Sequence, residues 1–229
     1  MKIAGLLFDK DATLLDFEKT WGQWSLAFLS GLAQGDRVLL QEMAKAIQFD
    51  LEVHTFHSTS PVIAGTPEEG VDLLLPLLPN WQRQDLIAHS NAQAESVTVH
   101  EIVPLKPLLS DLARHAKLGI ATNDAEASAR RHMDALGVVD HFDAIIGSDS
   151  GFGGKPAPGM CLAFADQMSL APDHVAMVGD STHDLHAGRA AGMVCVGVAS
   201  GYATEADLSP HADVVLPDVS HLPEWIAQL

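Results

Sequence analysis

Short apolar runs of strand length alternate with helical patterns from residue 103 onward, and this alternation constrains the fold more than any other feature. One run of the same character lies near the N-terminus. The runs are IAGLLFD, LGIATN, DAIIGS, HVAMVGD, MVCVGV and ADVVLP. Alternating strands and helices build βαβ units, which form a parallel sheet with helices on both faces. We therefore predict an α/β fold whose core is a doubly wound, Rossmann-like parallel sheet.

Residues 17–98 have a different pattern. Their apolar side chains recur at helical spacing, and no segment among them has the alternation of a convincing strand. The simplest arrangement is a helical insertion after the first strand. We predict a catalytic core made of residues 1–15 and 100–229, with an inserted α-helical cap over residues 16–99.

Composition and charge exclude several kinds of partner. The 229 residues include 30 acidic and 13 basic side chains, a formal net charge of −17. Such a chain lacks the basic face that nucleic acid requires. The apolar run after Lys2 is too short for a signal peptide, and no run is long enough to cross a bilayer. Cys161 and Cys195 lie in apolar surroundings and predict buried thiols. We predict a cytoplasmic monomer or homodimer without a membrane partner.

Polar side chains follow four of the predicted strands. They are Asp9 and Asp11 after the first, Thr122 and Asn123 after the next, Lys155 in the Gly-rich loop after the third, and Asp180 and Asp184 after the fourth. The carboxyl ends of parallel strands meet at one edge of a sheet, where ligands bind. Carboxylates suit Mg²⁺, and hydroxyl, N–H and ammonium groups donate to phosphate oxygens. The pattern predicts a site for a metal ion and a phosphoryl group.

Each of these residues also has an ordinary structural explanation. An Asp-x-Asp pair forms turns, Thr and Asn cap helices, and a loop lysine is usually solvated. Taken singly, the structural explanation is favoured. Taken together, at four strand ends in this order, the residues favour a site.

Four motifs carry a family resemblance. DKDAT, ATND, GKPAP and GDSTHD resemble the signature of the haloacid dehalogenase superfamily, and their spacing is similar to its phosphatase branch with a helical cap, the phosphoglycolate phosphatase group. The resemblance covers the whole core. It implies Asp9 as nucleophile, Asp11 as general acid and then base, Thr122, Asn123 and Lys155 as phosphate-binding residues with Lys155 also catalytic, and Mg²⁺ at Asp9, Asp11, Asp180 and Asp184.

The implied function is Mg²⁺-dependent hydrolysis of a small phosphorylated metabolite, similar to phosphoglycolate or a sugar phosphate, through an aspartyl phosphate. A phosphomutase, which returns the phosphoryl group to a second hydroxyl of a sugar phosphate, is the alternative. A non-catalytic binding module on the same fold would be expected to have lost at least one of Asp9, Asp11, Lys155 or Asp180, and all are present. A dehalogenase is disfavoured because it lacks a second aspartate like Asp11.

Three residues of the first motif carry their own expectations. Asp11 needs an environment that raises its pKa, so that it can protonate the leaving oxygen. Lys10 is expected, by strand alternation, to point away from both carboxylates. Ala12 stands where the family usually has glycine. If its φ is positive, the alanine costs about 1–2 kcal/mol of backbone strain.

The predicted cap offers weaker candidates for substrate recognition. They are Glu18, Thr20, Trp21, His54 and His57. Trp21 and Trp24 have i, i+3 spacing, which is more often a packing seam than a ligand platform. His54 and His57 are more often surface histidines. His183 and His186 have ligand-like spacing but lack a third ligand, so we predict no zinc site.

Overall fold

The computed structural model describes residues 3–229. Met1 and Lys2, which belong to the predicted first segment, lie outside the described residues. The strands are β1 Gly5–Phe8, β2 Phe49–Asp50, β3 Thr55–Phe56, β4 Lys117–Ala121, β5 Ala144–Ile146, β6 Val175–Gly179, β7 Val194–Val198 and β8 Val214–Leu216. The helices are α1 Phe17–Ala33, α2 Arg37–Ala46, α3 Pro67–Leu74, α4 Arg83–Ala94, α5 Leu105–Leu112, α6 Glu126–Ala135, α7 Gly159–Gln167, α8 Thr182–Ala191, α9 Glu205–Leu208 and α10 Leu222–Ala227.

Six strands form one sheet in the order β5-β4-β1-β6-β7-β8, and every neighbouring pair is parallel. β1 lies between β4 and β6, so the chain reverses its direction of strand addition beside β1. This is the switch point at which open α/β sheets bind ligands. The predicted α/β, doubly wound fold is confirmed.

Both faces of the sheet are buried, which explains why its strands are continuous apolar runs. Successive side chains of β1 enter different hydrophobic clusters. Leu6 and Phe8 belong to one, with Leu118 and Val178, and Leu7 belongs to the other. Cys161 and Cys195 are buried free thiols, as predicted.

The helical segment, residues 17–94, contains α1 to α4 and has a hydrophobic cluster of its own. Phe28, Leu29, Met43 and Leu86 lie in this cluster, each nearly or fully buried. The two stretches of chain that connect the helical segment to the sheet run side by side. The Asp16 N–H of one donates to the His100 carbonyl of the other at 2.7 Å. The predicted division into core and cap, at residues 15/16 and 99/100, stays a prediction.

The expectation that this part of the chain holds no strand is wrong. β2 and β3 form an antiparallel pair in which Phe49 lies opposite Phe56. Each strand has only two residues, too few to reveal an alternation in the sequence. His54, in the connecting turn, has φ 59°. Among residues 3–229, no helix is both long and apolar enough to span a membrane.

Ala12 adopts the left-handed conformation that the family's usual glycine suggested. Its φ is 62°. Its N–H donates to the Leu15 carbonyl at 2.7 Å, and its carbonyl accepts from Ser200 Oγ at 2.7 Å. Hydrogen bonds of both the N–H and the carbonyl of this strained residue therefore hold the turn after β1 in place.

Replacing Ala12 by glycine tests that strain. Ala12→Gly relieves about 1–2 kcal/mol of left-handed strain and loses one buried methyl group, about 0.8 kcal/mol. We expect the free energy of unfolding to stay unchanged or to rise by up to about 1 kcal/mol. The control is Ala27→Gly, at an exposed position within α1, which should lose about 1 kcal/mol. Urea unfolding of both variants measures the difference, and an equal loss in both would contradict the strain.

Candidate active site

Three buried carboxylates converge at the carboxyl edge of the sheet. Asp9 follows β1, Asp180 follows β6, and Asp184 lies in the first turn of α8. Each offers one oxygen, and these atoms all lie within 4.8 Å of one another. Ser181 caps α8 and donates to Asp184 Oδ2 from its N–H at 3.0 Å and from its hydroxyl at 2.6 Å. The helix start therefore fixes one carboxylate of the group.

Lys155 is the cation of this cluster. Its Nζ lies 2.5 Å from Asp9 Oδ1 and 2.6 Å from Asp184 Oδ1. Burial alone would lower the pKa of Lys155, but the charges of Asp184 and Asp9 outweigh it and raise that pKa above its ordinary value. The ammonium group therefore stays charged in the closed site.

One ammonium group does not balance three carboxylates. Burial raises the pKa of Asp9 from 3.8 to about 7, with Asp184 and Asp11 adding to the rise and Lys155 opposing it. Burial and the charges of Asp184 and Asp9 also raise the pKa of Asp180 well above its ordinary value. The excess negative charge and the oxygen-only donor set fit a hard divalent cation such as Mg²⁺.

The Asn123 side chain fixes the loop that carries Lys155. Its Oδ1 accepts from the Lys155 N–H at 2.7 Å, and its Nδ2 donates to the Lys155 carbonyl at 3.0 Å. The same Nδ2 donates to the carbonyl of Ala64, in the helical segment, at 2.8 Å. Thr122 is buried beside it and accepts from the Asp124 N–H at 3.1 Å. Asn123 therefore joins the lysine loop to the helical segment.

Lys10 forms a second charged group next to the first, and the expectation that it points away is wrong. Its side chain is fully buried. Its Nζ lies 2.7 Å from Asp11 Oδ2, 3.1 Å from Asp124 Oδ2 and 3.1 Å from His132 Nδ1. β1 ends at Phe8, so strand alternation no longer determines the direction of the next side chains.

The electrostatic environment of Asp11 also differs from the expectation. Burial would raise the pKa of Asp11, but the charge and hydrogen bond of Lys10 and a 2.7 Å hydrogen bond from Trp21 Nε1 bring it below its ordinary value. The predicted raised pKa is therefore wrong for the cavity without a substrate. The Asp11 side chain also lies outside the group formed by Asp9, Asp180 and Asp184.

Sequence analysis missed several residues that hold the site together. His132 is 1% exposed, and its Nε2 lies 2.8 Å from the carbonyl of Ala94, the last residue of α4. Thr13 donates to Asp180 Oδ1 at 3.3 Å. A Cβ atom added to Gly201, in the loop after β7, would lie 1.9 Å from Asp180 Oδ2. Thr13 belongs to the DKDAT motif, but its place there does not indicate a contact with Asp180. No motif marks His132 or Gly201, because their contacts come from distant parts of the chain.

Of the five candidates for substrate recognition, only Trp21 is brought to the carboxylates. It lines the cavity above them, whereas Glu18, Thr20, His54 and His57 are not among its lining residues. Glu18 Oε1 accepts from the Phe56 N–H at 3.3 Å, and Thr20 Oγ1 accepts from the His100 N–H at 3.3 Å. These two residues connect parts of the backbone.

Neither of the two histidines is among the residues that line the cavity. His54 Nδ1 lies 2.9 Å from Gln23 Nε2, and the His57 side chain is exposed. A role in substrate recognition stays a prediction for both. Neither their polarity nor their position in a loop indicated which side of the helical segment they would face.

A cavity of about 150 Å³ lies between the edge of the sheet and the helical segment. Its floor is polar and includes Asp9, Asp11, Thr122 and Lys155, and its walls come mainly from apolar side chains of the helical segment. A reacting group on this floor is therefore covered by α1 and α3. The arrangement suits chemistry on a small anionic group.

The chain matches one family model and is similar to known phosphoglycolate phosphatases. Residues 6–198 match the model of the haloacid dehalogenase-like hydrolase family. The phosphoglycolate phosphatase of Yersinia pseudotuberculosis is 27% identical over 234 residues, 96% of this chain and 91% of that protein. The phosphoglycolate phosphatase of Rhodospirillum rubrum is 34% identical over 114 residues, 50% of this chain and 47% of that protein. The chain belongs to the haloacid dehalogenase-like hydrolase family, which confirms the predicted family.

A solved structure shares the fold along the whole chain. It is a haloacid dehalogenase phosphatase of Thermococcus onnurineus, with a TM-score of 0.68, 20% identity and coverage of 99% of this chain and 98% of that one. At this identity the likeness concerns the fold. Because one fold hosts several chemistries, the residues of the site and not the fold determine the function.

Gly201→Ala tests how closely the loop after β7 supports Asp180. The new methyl group would also lie 2.6 Å from Asp180 Cγ and 2.9 Å from its Cβ, so the whole side chain must move. We expect a loss of about 1–3 kcal/mol in the free energy of unfolding. The matched control, Gly31→Ala in α1, meets no atom within 4 Å and should gain stability. Unchanged thermal unfolding of Gly201→Ala would show that the loop yields without cost.

Proposed function

We propose that the protein is a Mg²⁺-dependent phosphatase that hydrolyses a small phosphorylated metabolite through an aspartyl phosphate on Asp9. It is a phosphoric monoester hydrolase of the haloacid dehalogenase type, similar to the phosphoglycolate phosphatases. The observation that carries this proposal is the placement of Asp9. Its carboxylate contacts the Lys155 ammonium group and lies among three buried carboxylates on the floor of a covered cavity.

Asp9, Asp180 and Asp184 are the residues that would hold Mg²⁺. They provide hard oxygen ligands and more negative charge than Lys155 balances. When bound, the metal ion offsets the charge of the phosphoryl group during transfer. We do not retain the Asp11 side chain as a fourth ligand, because it is engaged by Lys10 and Trp21.

In the first proposed step, an oxygen of Asp9 attacks phosphorus while the bond to the leaving oxygen breaks. Lys155 remains charged and reduces the repulsion between the carboxylate and the phosphoryl group. Thr122 donates its hydroxyl to a phosphoryl oxygen. The Asn123 side chain already bonds the Lys155 backbone and Ala64, so we assign its predicted phosphate contact to its main-chain N–H.

Asp11 supplies the proton for the leaving oxygen and later accepts one from water. A phosphate dianion that enters the cavity adds a like charge next to Asp11, and this raises the pKa of its carboxyl group. In the second step, water attacks the aspartyl phosphate and Asp11 takes its proton, which restores Asp9 and releases phosphate. The Lys10 ion pair and the Trp21 hydrogen bond keep the Asp11 carboxylate in place between the two steps.

Cytoplasmic location and a monomeric or homodimeric state belong to the proposal. The two buried free thiols support a reducing compartment. The phosphomutase alternative differs in its acceptor, a sugar hydroxyl in place of water. Stoichiometric release of inorganic phosphate from a sugar phosphate would exclude it.

The raised pKa values of Asp9 and Asp180 predict how Mg²⁺ binding depends on pH. Without metal, the folded protein binds these protons more tightly than the unfolded chain does. This stabilisation is therefore present below about pH 4 and is lost as pH rises through about 7. Mg²⁺ must displace the same protons, so its effect on stability should grow with pH.

The measurement is a series of thermal unfolding curves with Mg²⁺ or with a chelator, at pH 5.5 and pH 8. Mg²⁺ at about 100 times its Kd should stabilise the protein by about 2.7 kcal/mol at pH 8, roughly 5–10 °C in Tm, and far less at pH 5.5. Asp180→Asn should abolish the shift. An equal shift at both pH values would contradict the assignment of the metal to these carboxylates.

Substitution of the two aspartates of the first motif tests the catalytic roles. Asp9→Asn should abolish phosphate release and any covalent phosphoenzyme, because an amide is not a competent nucleophile here. Asp11→Asn should lower turnover by about 10²–10⁴-fold. With an aryl or acyl phosphate, whose leaving group needs little protonation, a phosphoenzyme should accumulate in Asp11→Asn. Rapid quench and intact-mass measurement detect the adduct.

The matched control is Asp166→Asn, an exposed carboxylate on α7. It should keep full activity and show no adduct. Full activity in both Asp9→Asn and Asp11→Asn would mean that neither carboxylate takes part in chemistry, and the proposed function would fail.

A further inference from the structure

The wall that the helical segment contributes to the cavity is mainly apolar. Trp24, Phe28 and Leu29 from α1 line it, with Val71 and Leu74 from α3. The Trp24 ring stacks on Phe28 with a centroid distance of 4.9 Å and an interplanar angle of 9°. Apolar ligand surface placed against this wall would leave water, which favours binding.

The same wall offers no positive charge. Among residues 3–229, Lys155 is the only lysine or arginine that lines the cavity, and its ammonium group already contacts Asp9 and Asp184. His183 lies on the side of Asp180 and is exposed. A carboxylate on the leaving group, as in phosphoglycolate, would be desolvated against this wall without a partner.

Two polar atoms in the wall have no hydrogen-bond partner. They are the Trp24 Nε1 donor and the Asn91 Oδ1 acceptor, both buried, and both residues line the cavity. Buried polar groups are normally paired, and leaving one unpaired costs free energy. A hydroxyl group both accepts and donates, so an uncharged group of this kind has the chemistry that each of the two atoms lacks.

The size of the cavity sets the size of the leaving group. A volume of about 150 Å³ is similar to that of an apolar protein cavity known to hold benzene. Because the same cavity must also hold the phosphoryl group on its floor, the leaving group can be no larger than about one six-membered ring. A sugar ring of the same size would place most of its hydroxyl groups against apolar side chains, because the polar lining of the helical segment is limited to a few side chains, Ser25, Thr66, Ser90 and Asn91 beside the tryptophans.

We propose that the substrate is the phosphate monoester of an uncharged, mainly apolar alcohol the size of one ring, which carries a single hydroxyl group facing Trp24 and Asn91. This inference rests on the proposed function and names its substrate class. It favours an aromatic or cyclic aliphatic alcohol over the phosphoglycolate or sugar phosphate suggested by the family resemblance.

Paired substrates test the inference on the Mg²⁺-loaded protein. Benzyl phosphate is compared with phosphoglycolate, and cyclohexylmethyl phosphate with glucose 6-phosphate, a ring of the same size that bears hydroxyls. All four are alkyl esters, so the comparison does not rest on an activated leaving group. We expect kcat/KM, measured by phosphate release, to be at least tenfold higher for the apolar member of each pair.

A third comparison addresses the two polar atoms. The hydroxyl of 3-hydroxybenzyl phosphate should raise kcat/KM severalfold over benzyl phosphate. In Trp24→Phe, which lacks the Nε1 donor, this ratio should fall toward one. The matched control is Trp81→Phe, since Trp81 packs against His89 and does not line the cavity, and it should keep the ratio. An unchanged ratio in Trp24→Phe would overturn the role of Trp24.

The outcomes separate the inference from the proposed function. Faster turnover of phosphoglycolate or glucose 6-phosphate would overturn the inference and leave the phosphatase intact. Failure to release phosphate from any ester would overturn the proposed function. In that case calorimetry with Mg²⁺ and two non-hydrolysable probes decides the inference: benzylphosphonate should bind at least tenfold more tightly than phosphonoacetate, and equal or weaker binding would overturn it.

Discussion

The ion pairs of Lys155 with Asp9 and Asp184 are the interaction on which the site depends. The carboxylates at the buried ends of the strands lie close together. Without a cation, the desolvation of these carboxylates and the repulsion between them would oppose folding. Each partner is supported by a different part of the chain. Asn123 fixes the lysine loop, the start of α8 fixes Asp184, and Asp9 directly follows β1. The cluster therefore exists only once the sheet has formed.

Two carboxylates separated by a single residue have opposite electrostatic environments. The pKa of Asp9 is raised because burial and its acidic neighbours outweigh Lys155, and the pKa of Asp11 is lowered because Lys10 and Trp21 outweigh burial. The ammonium group of Lys10 also lies 5.2 Å from the centre of the Trp21 ring. The first motif thus places a carboxyl group with a raised pKa two residues before one that is held as an anion.

The sequence predicted the parts of the molecule that follow from periodicity and order. Alternating strands and helices fixed the α/β class, and the rule that strand ends meet at one edge brought Asp9, Lys155 and Asp180 together correctly. Predictions from periodicity were wrong at positions where regular secondary structure ends or is very short. Lys10 lies beyond the last residue of β1, and β2 and β3 are too short to have a period.

Contacts between distant segments were also beyond sequence analysis. His132 reaches Lys10 from α6, and Gly201 approaches Asp180 from the loop after β7. Neither residue has a local pattern that indicates its partner. Of the candidates in the helical segment, only Trp21 lines the cavity, because helical spacing gives a shared face but does not say which face covers the sheet.

The hydrogen bond between Asn123 and Ala64 affects which residues near the cavity can change during evolution. The amide recognises a main-chain carbonyl, which every amino acid provides, so the bond places no demand on the side chain at position 64. Its neighbours Val62 and Ile63 line the cavity. Mutations in this loop can therefore alter the shape of the cavity while the attachment to the lysine loop persists. The shape of the cavity can therefore change in evolution without disturbing the ion pairs of Lys155 beneath it.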